Sequence, residues 1–270
     1  KSLDNICPCT KRMSSGRFFM MGLTLGAVIG VIAMMVFFSM RKEKDTDMLS
    51  KYKYSQVGIA AVDGRQGITT DGKSYWVSGS KTLIKYDKNW KELARNDSPF
   101  EGYEQDVNHL ADIDVFHNEI YAGVEYFEDG IGKNIQIAIY DGDTLKLKRT
   151  IRFNKESGQK ECSGITVNPD EKKIVMCSWV GEESGRYLYE YDLDNGKYLR
   201  KVHLQCPPQW LQGIEYSKGE YYLTADDGTA DEKEADHIYR VKTDPKKTYA
   251  KVTQELTLND VQFQGEIEGL

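Results

Sequence analysis

The chain has 270 residues, 40% of them hydrophobic, with 17 Tyr, 9 Phe, 4 Trp, only 6 Pro and a formal net charge of −6. Residues 1–44 carry seven Lys/Arg and two Asp/Glu, which leaves 29 Lys/Arg against 40 Asp/Glu, a net of −11, for the rest. An acidic body argues against nucleic acid as a partner, because phosphate binding needs basic surface, and five Cys are too few for a disulfide scaffold.

The first element is apolar. Phe18 to Met40 is 23 residues without a charge, about 34 Å as a helix, against a hydrocarbon core of about 30 Å. It runs into Arg41-Lys42-Glu43-Lys44 and not into a small-residue cleavage site, so an uncleaved anchor is expected. Lys and Arg flank it on both sides and set no orientation. A long domain after a single hydrophobic segment is expected to be translocated, with the N-terminus inside. The division is therefore a cytoplasmic segment 1–17, a transmembrane signal-anchor helix 18–40, a charged stalk 41–56 and a domain 57–270 on the extracytoplasmic side. Gly22, Gly26 and Gly30 repeat every four residues, a spacing that lets two such helices self-associate. Cys7 and Cys9 precede the segment, as free thiols or as acylation sites. Asn96-Asp97-Ser98 is an N-glycosylation sequence followed by Pro99.

The remainder repeats. QGITTDGKSYWVSGS from Gln66, ADIDVFHNEIYAGVEYF, SGITVNPDEKKIVMCSW and QGIEYSKGEYYLTADDG share one template. Its anchor aliphatics are Ile68, Ile113, Ile165, Ile214 and Leu270, spaced by 45, 52, 49 and 56 residues. Each unit reads as four short strands: a "GI" run, a tight turn such as Asp71-Gly72, an apolar strand such as Ser74–Ser78, then an alternating strand and a last one. The third strands end in matching places, Tyr86-Asp87, Tyr140-Asp141, Tyr191-Asp192 and Tyr239-Arg240. Four-stranded units of 40–50 residues are the signature of β-propeller blades. The expectation is an all-β propeller of four blades, with a fifth opening at Glu268-Gly269-Leu270 and five or six in full, preceded by one transmembrane helix. Cys162 and Cys177 fall on neighbouring strands of one unit, where a bridge or two buried thiols would fit.

SGITVNPDEKKIVMCSW followed by RYLYEYDLDNGKYLR resembles blades of the SMP-30/gluconolactonase, NHL and strictosidine-synthase-like propellers. QGITTDGKSYWVSGS and QGIEYSKGEYYL are similar to units of the glutaminyl-cyclotransferase-like propellers. No unit reproduces a whole catalytic motif; GEIEGL is similar to the opening in which SMP-30-like enzymes place a metal-binding Glu, here Glu268.

In a propeller the connections into the first strands and the loops between second and third strands meet on one face. The template places His109, Glu161, Trp210 and Glu266 at that rim, Gln66, Asp112, Ser163, Gln212 and Glu268 at the channel, and Glu125, Trp179, Asp226 and Asp227 on the loops. Hard cations take six to eight oxygen ligands, so Asp112, Glu161, Asp226 and Glu268 are candidate ligands for Ca²⁺ or another divalent cation, and His109 is a candidate base. Gln66, Glu125, Trp179, Trp210, Gln212, Asp227 and Glu266 are candidate ligand contacts, with the two Trp as a platform for sugars or apolar ligands. Two functions follow: a tethered propeller that binds a protein or glycan, or a Ca²⁺-dependent lactone or ester hydrolase of the SMP-30 type. A third is a structural subunit assembling through the Gly-rich helix.

Overall fold

The computed structural model describes residues 50–180, 183–229, 234–259 and 267–270. The segment 18–40 with Gly22, Gly26 and Gly30, the thiols of Cys7 and Cys9, and Glu266 lie outside these residues. Among the described residues no helix is long and apolar enough to cross a membrane. Ser55–Leu270 is one compact unit. In the other, Tyr52 and Tyr54 meet edge to face with ring centres 6.4 Å apart.

Sixteen strands are seen among the described residues, in four antiparallel groups of four. The first is β1 Gly67–Thr70, β2 Ser74–Gly79, β3 Thr82–Asp87 and β4 Glu92–Asn96; the second is β5 His109–Phe116, β6 Glu119–Glu128, β7 Ile131–Asp141 and β8 Leu147–Arg152. The third is β9 Ile165–Asn168, β10 Lys173–Met176, β11 Tyr187–Asp192 and β12 Tyr198–Gln205; the fourth is β13 Leu211–Ser217, β14 Glu220–Ala225, β15 His237–Val241 and β16 Tyr249–Thr257. Within each group neighbours in sequence pair in order. The anchors sit in one register: Ile68 opposite Val77, Ile113 opposite Ala122, Ile165 opposite Met176, Ile214 opposite Leu223. The fold is a propeller with β1, β5, β9 and β13 innermost.

The repeated Tyr-Asp has two jobs. Tyr86, Tyr140 and Tyr191 are buried. Each following Asp starts the turn into the last strand, because a short carboxylate accepts backbone N–H groups two to four residues on. Asp87 Oδ1 takes Asn89 and Lys91, Asp141 Oδ1 takes Asp143 and Thr144, and Asp192 Oδ1 takes Asp194 and Asn195, all at 2.8–3.2 Å. In the fourth unit the match on Tyr239-Arg240 is two residues early. Tyr239 lies opposite Leu223, as Ile84 lies opposite Val77 and Tyr189 opposite Met176. The Asp position therefore falls on Lys242, and Asp244 holds the turn by accepting the Lys246 N–H at 2.9 Å. Arg240 instead joins Glu220 and Glu255 at 2.8 and 2.7 Å.

A single four-stranded sheet cannot bury both faces, and three hydrophobic clusters among the described residues lie between blades. Trp76 and Leu83 of the first pack with Leu110, Ile113, Ile120 and Tyr140 of the second. Ile137 and Ile139 of the second meet Ile165, Ile174 and Tyr189 of the third. Leu188, Val202 and Leu204 of the third meet Ile214, Leu223 and Val252 of the fourth. Each fully buried aliphatic contributes roughly 1.5–3 kcal/mol of transfer free energy. The third and fourth blades are also joined by hydrogen bonds. Their outermost strands β12 and β16 pair in parallel, His203 opposite Tyr249, which makes one eight-stranded sheet that curls until β9 and β13 pack together.

Cys162 and Cys177 are both buried free thiols and do not bridge. The Asn96 side chain donates to the Leu145 carbonyl at 2.7 Å.

Candidate functional site

The residue just before each anchor is Gly67, Asp112, Gly164, Gly213 or Gly269. Three of the four glycines border the aspartate, which fills the axis, while a Cβ on Gly164 would instead stand 2.5 Å from Cys177 Sγ. A Cβ on Gly67 would stand 2.6 Å from Asp112 Oδ1, one on Gly269 2.2 Å from it, and one on Gly213 3.1 Å from Asp112 Oδ2. Asp112 is 1% exposed. Its Oδ1 accepts the Ile113 N–H at 2.9 Å and its Oδ2 accepts the Ile214 N–H at 3.1 Å, from the opposite side of the hub. Burial pushes this carboxyl well above the usual carboxylate range. The segment 267–270 enters the same space. The Gly269 N–H donates to the Gln66 carbonyl at 3.0 Å, and Thr224 Oγ1 donates to the Glu268 carbonyl at 2.6 Å.

Above this hub lies a cavity of about 400 Å³. Gln66, His109, Glu161, Ser163, Trp179, Gln212 and Glu268 line it, as do Ser80, Ala111 and Phe127. The starts of the inner strands and the ends of the second strands converge here. Gln66 bridges two members: Nε2 donates to Glu268 Oε1 at 3.0 Å, and Oε1 is hydrogen-bonded to His109 Nε2. Burial lowers the His109 pKa, so the ring is neutral, and the bond to Gln66 places its proton on Nε2. Nδ1 then carries the lone pair and faces Glu125 Oε1 at 3.8 Å. Both of these atoms are buried without a hydrogen-bond partner.

Glu125 is fully buried in β6. Its Oε2 accepts the Cys162 N–H at 3.2 Å, and burial pushes its carboxyl up to about 8. Burial thus favours the protonated form of this carboxyl. Glu161, 3% exposed, accepts the Trp179 N–H at 2.5 Å and the Ser178 hydroxyl at 3.2 Å on Oε2. Burial first, then the charge of Glu125, pushes it well above the carboxylate range. Gly132 on β7 makes room for Glu125, since a Cβ there would lie 2.2 Å from Glu125 Oε2 and 2.8 Å from the Lys160 carbonyl.

Of the other expected site residues, Trp210, Asp226 and Asp227 do not line the cavity. Trp179 and Trp210 pack together at the rim with ring centres 4.9 Å apart, and Trp210 is 41% exposed. Asp227 turns into its own blade, where Oδ1 meets His237 Nδ1 at 2.8 Å and Oδ2 accepts the Tyr239 hydroxyl. The Asp226 N–H donates to the Trp210 carbonyl at 3.0 Å. Neither Asp226 nor Asp112 lines the cavity, and among the described residues no three of His, Cys, Asp and Glu are grouped so as to hold a metal ion. Ser80 and Phe127 were not anticipated. Phe127 arrives because β6 and β7 continue past the propeller rim to the two-residue turn Asp129-Gly130, both with positive φ (52° and 76°), and the Asp-Gly pair is the signal that marks this longer hairpin.

No protein-family model matches the chain, and no curated protein matches it in sequence. Solved structures that resemble it include the glutaminyl cyclase of Myxococcus xanthus, at 13% identity over 70% of this chain and 69% of that one, with a TM-score of 0.46. The hydrazine synthase of Kuenenia stuttgartiensis is similar at 14% identity over 75% of this chain and 53% of that one, with a TM-score of 0.47. The propeller assignment rests on the strand order and register given above.

Proposed function

We propose that this chain is a membrane-tethered binding propeller, held by residues 18–40 on the extracytoplasmic side, whose cavity over the hub takes a sugar unit of a glycan. The cavity itself carries the reading. At about 400 Å³ it falls in the range of small-ligand sites. Its wall alternates amides (Gln66, Gln212), hydroxyls (Ser80, Ser163) and carboxyls with the aromatic faces of Phe127 and Trp179. A sugar ring offers the matching surfaces, hydroxyls at the edge and a C–H face for an indole. The Gly22/Gly26/Gly30 face would pair two anchors and so present two cavities side by side.

A titration of tryptophan fluorescence in the full chain, in detergent, with hexoses, hexosamines and short oligosaccharides tests this. Saturable change is expected, with affinity about tenfold weaker in Trp179→Ala, the equivalent of roughly 1.4 kcal/mol of lost stacking. Absence of saturation with every sugar class refutes the reading. The cation-dependent hydrolase is the second reading, favoured by a neutral His109 and the raised Glu161 carboxyl in one cavity. Ca²⁺ against EDTA in the same titration tests it.

A further inference from the structure

The proposed binding function sets one sugar unit over the hub and leaves the rest of the glycan unplaced. The cavity is a dead end below, because Asp112, 1% exposed, fills the axis among Gly67, Gly213 and Gly269. Whatever is attached to the unit inside must leave through the mouth. An aromatic wall runs in that direction. Trp179 lines the cavity, and its ring packs on that of Trp210 with centres 4.9 Å apart and planes tilted by 39°. Trp210 lies outside the cavity lining and is 41% exposed, so its indole carries the aromatic surface outward from the mouth.

Two features set this indole apart from one that fills a gap in the core. The first is its backbone. Trp210 has a φ of 57°, a region that a bulky side chain seldom occupies and that persists only where the surroundings impose it. Here Pro207 and Pro208 shortly precede it, with φ fixed by their rings, and its carbonyl accepts the Asp226 N–H at 3.0 Å. The second is its donor. Trp76, in the core, gives its indole N–H to the Gly142 carbonyl at 2.8 Å. Among the described residues no protein acceptor takes the indole N–H of Trp179 or of Trp210. A rigidly held, exposed indole loses little freedom on binding. It offers a sugar ring a flat face for its C–H groups and an N–H for one of its hydroxyls.

We infer that the ligand is the end of an oligosaccharide, whose terminal unit enters the cavity while the next unit lies on the Trp210 indole. This inference rests on the proposed binding function and extends it from one sugar to a site of two.

The test is calorimetric titration of the full chain, in a detergent without a sugar headgroup. The probes are glucose with maltose and maltotriose, glucose with cellobiose and cellotriose, and N-acetylglucosamine with diacetylchitobiose and triacetylchitotriose. In a series that binds, the disaccharide is expected to bind about tenfold tighter than its monosaccharide, and the trisaccharide within about threefold of the disaccharide. Trp210→Ala, checked for an unchanged melting temperature, should bring the ratio of disaccharide to monosaccharide affinity down to about one, and Trp210→Phe, which keeps a flat face, should restore most of it. A disaccharide no tighter than its monosaccharide, or a ratio that Trp210→Ala leaves untouched, overturns the second unit while the binding function stands. Hexyl glucoside binding tighter than both glucose disaccharides assigns Trp210 to an apolar tail and likewise overturns the second unit. Binding of no mono-, di- or trisaccharide overturns both.

Discussion

Replacing Asp112 by Ala should unfasten the hub. The carboxyl accepts two buried backbone donors, Ile113 at 2.9 Å and Ile214 at 3.1 Å, the second from the far side of the axis. A buried donor left without an acceptor costs about 1–3 kcal/mol, so two cost about 2–6. Part of this is offset, because the carboxyl itself is held against its burial preference, as its raised pKa shows. A net loss of about 2–4 kcal/mol remains. For a body of this size each kcal/mol moves the melting temperature by roughly 2–4 °C, so a fall of about 5–12 °C is expected. Asp112→Asn keeps one acceptor oxygen but turns an NH₂ towards the other donor, and should also destabilise. Differential scanning calorimetry of the full chain at one pH and protein concentration reads both. A variant within a degree of the parent would refute the reasoning, because it would mean that water in the channel satisfies both amides.

The pH dependence has a definite sign. Glu125 titrates near 8 in the folded protein against about 4.3 in an unfolded chain. Between those values the folded state binds a proton that the unfolded state has released, so stability falls as pH rises through that window and levels off above it. Denaturant midpoints at pH 5, 6.5, 8 and 9 should decline by an amount on the order of 4 kcal/mol, and Glu125→Gln should flatten the slope; midpoints that rise with pH in both proteins contradict the assignment. Arg240 bridges Glu220 and Glu255, which are 8% and 0% exposed. Arg240→Met removes the positive charge beside two buried carboxylates and should cost about 3–5 kcal/mol, with faster amide exchange in β14 to β16. A loss under 1 kcal/mol would show that the carboxyls simply protonate.

Much of this architecture can be read from spacing. The anchor aliphatics, the Asp-Gly and Tyr-Asp turns and the Gly before each anchor are local features, and a propeller repeats them because each blade solves the same packing problem. The template places Gln66, His109, Glu161, Ser163, Gln212 and Glu268 at the starts of inner strands, which is where the cavity opens. Orientation is not local. Asp226 and Asp227 follow the template as well as Trp179 does, yet Asp227 turns back to His237 and Tyr239 of its own blade. Asp112 looks like a cation ligand in sequence and is instead an acceptor for amides. The parallel pairing of β12 with β16 leaves no mark in the pattern, since outer strands of separate blades carry no shared period.

The buried carboxyls have a structural reason that is separate from any ligand. Innermost strands of a propeller are sheet edges, and their free N–H groups face neither solvent nor a partner strand. Here side chains of the preceding blade satisfy them in a repeating step. Thr69, Asp114 and Thr166 each follow an anchor aliphatic, and each accepts the N–H two residues after the anchor of the next blade. Val115 donates to Thr69 at 3.1 Å, Val167 to Asp114 at 2.7 Å and Tyr216 to Thr166 at 3.0 Å. Glu215 occupies the same step of the fourth blade, and burial with the nearby charge of Asp114 pushes it up to about 9. The ties need acceptors of short reach, and a carboxylate serves as well as a hydroxyl only while it can be buried at low energetic cost. Glu125 and Glu161 extend the device to the rim, where each also accepts a backbone N–H, Cys162 for one and Trp179 for the other. One chemical need, acceptors for inner-edge amides, thus fills the axis with acid groups. At the rim one of these groups, Glu161, also lines the open cavity, while Glu125 stands fully buried behind its wall.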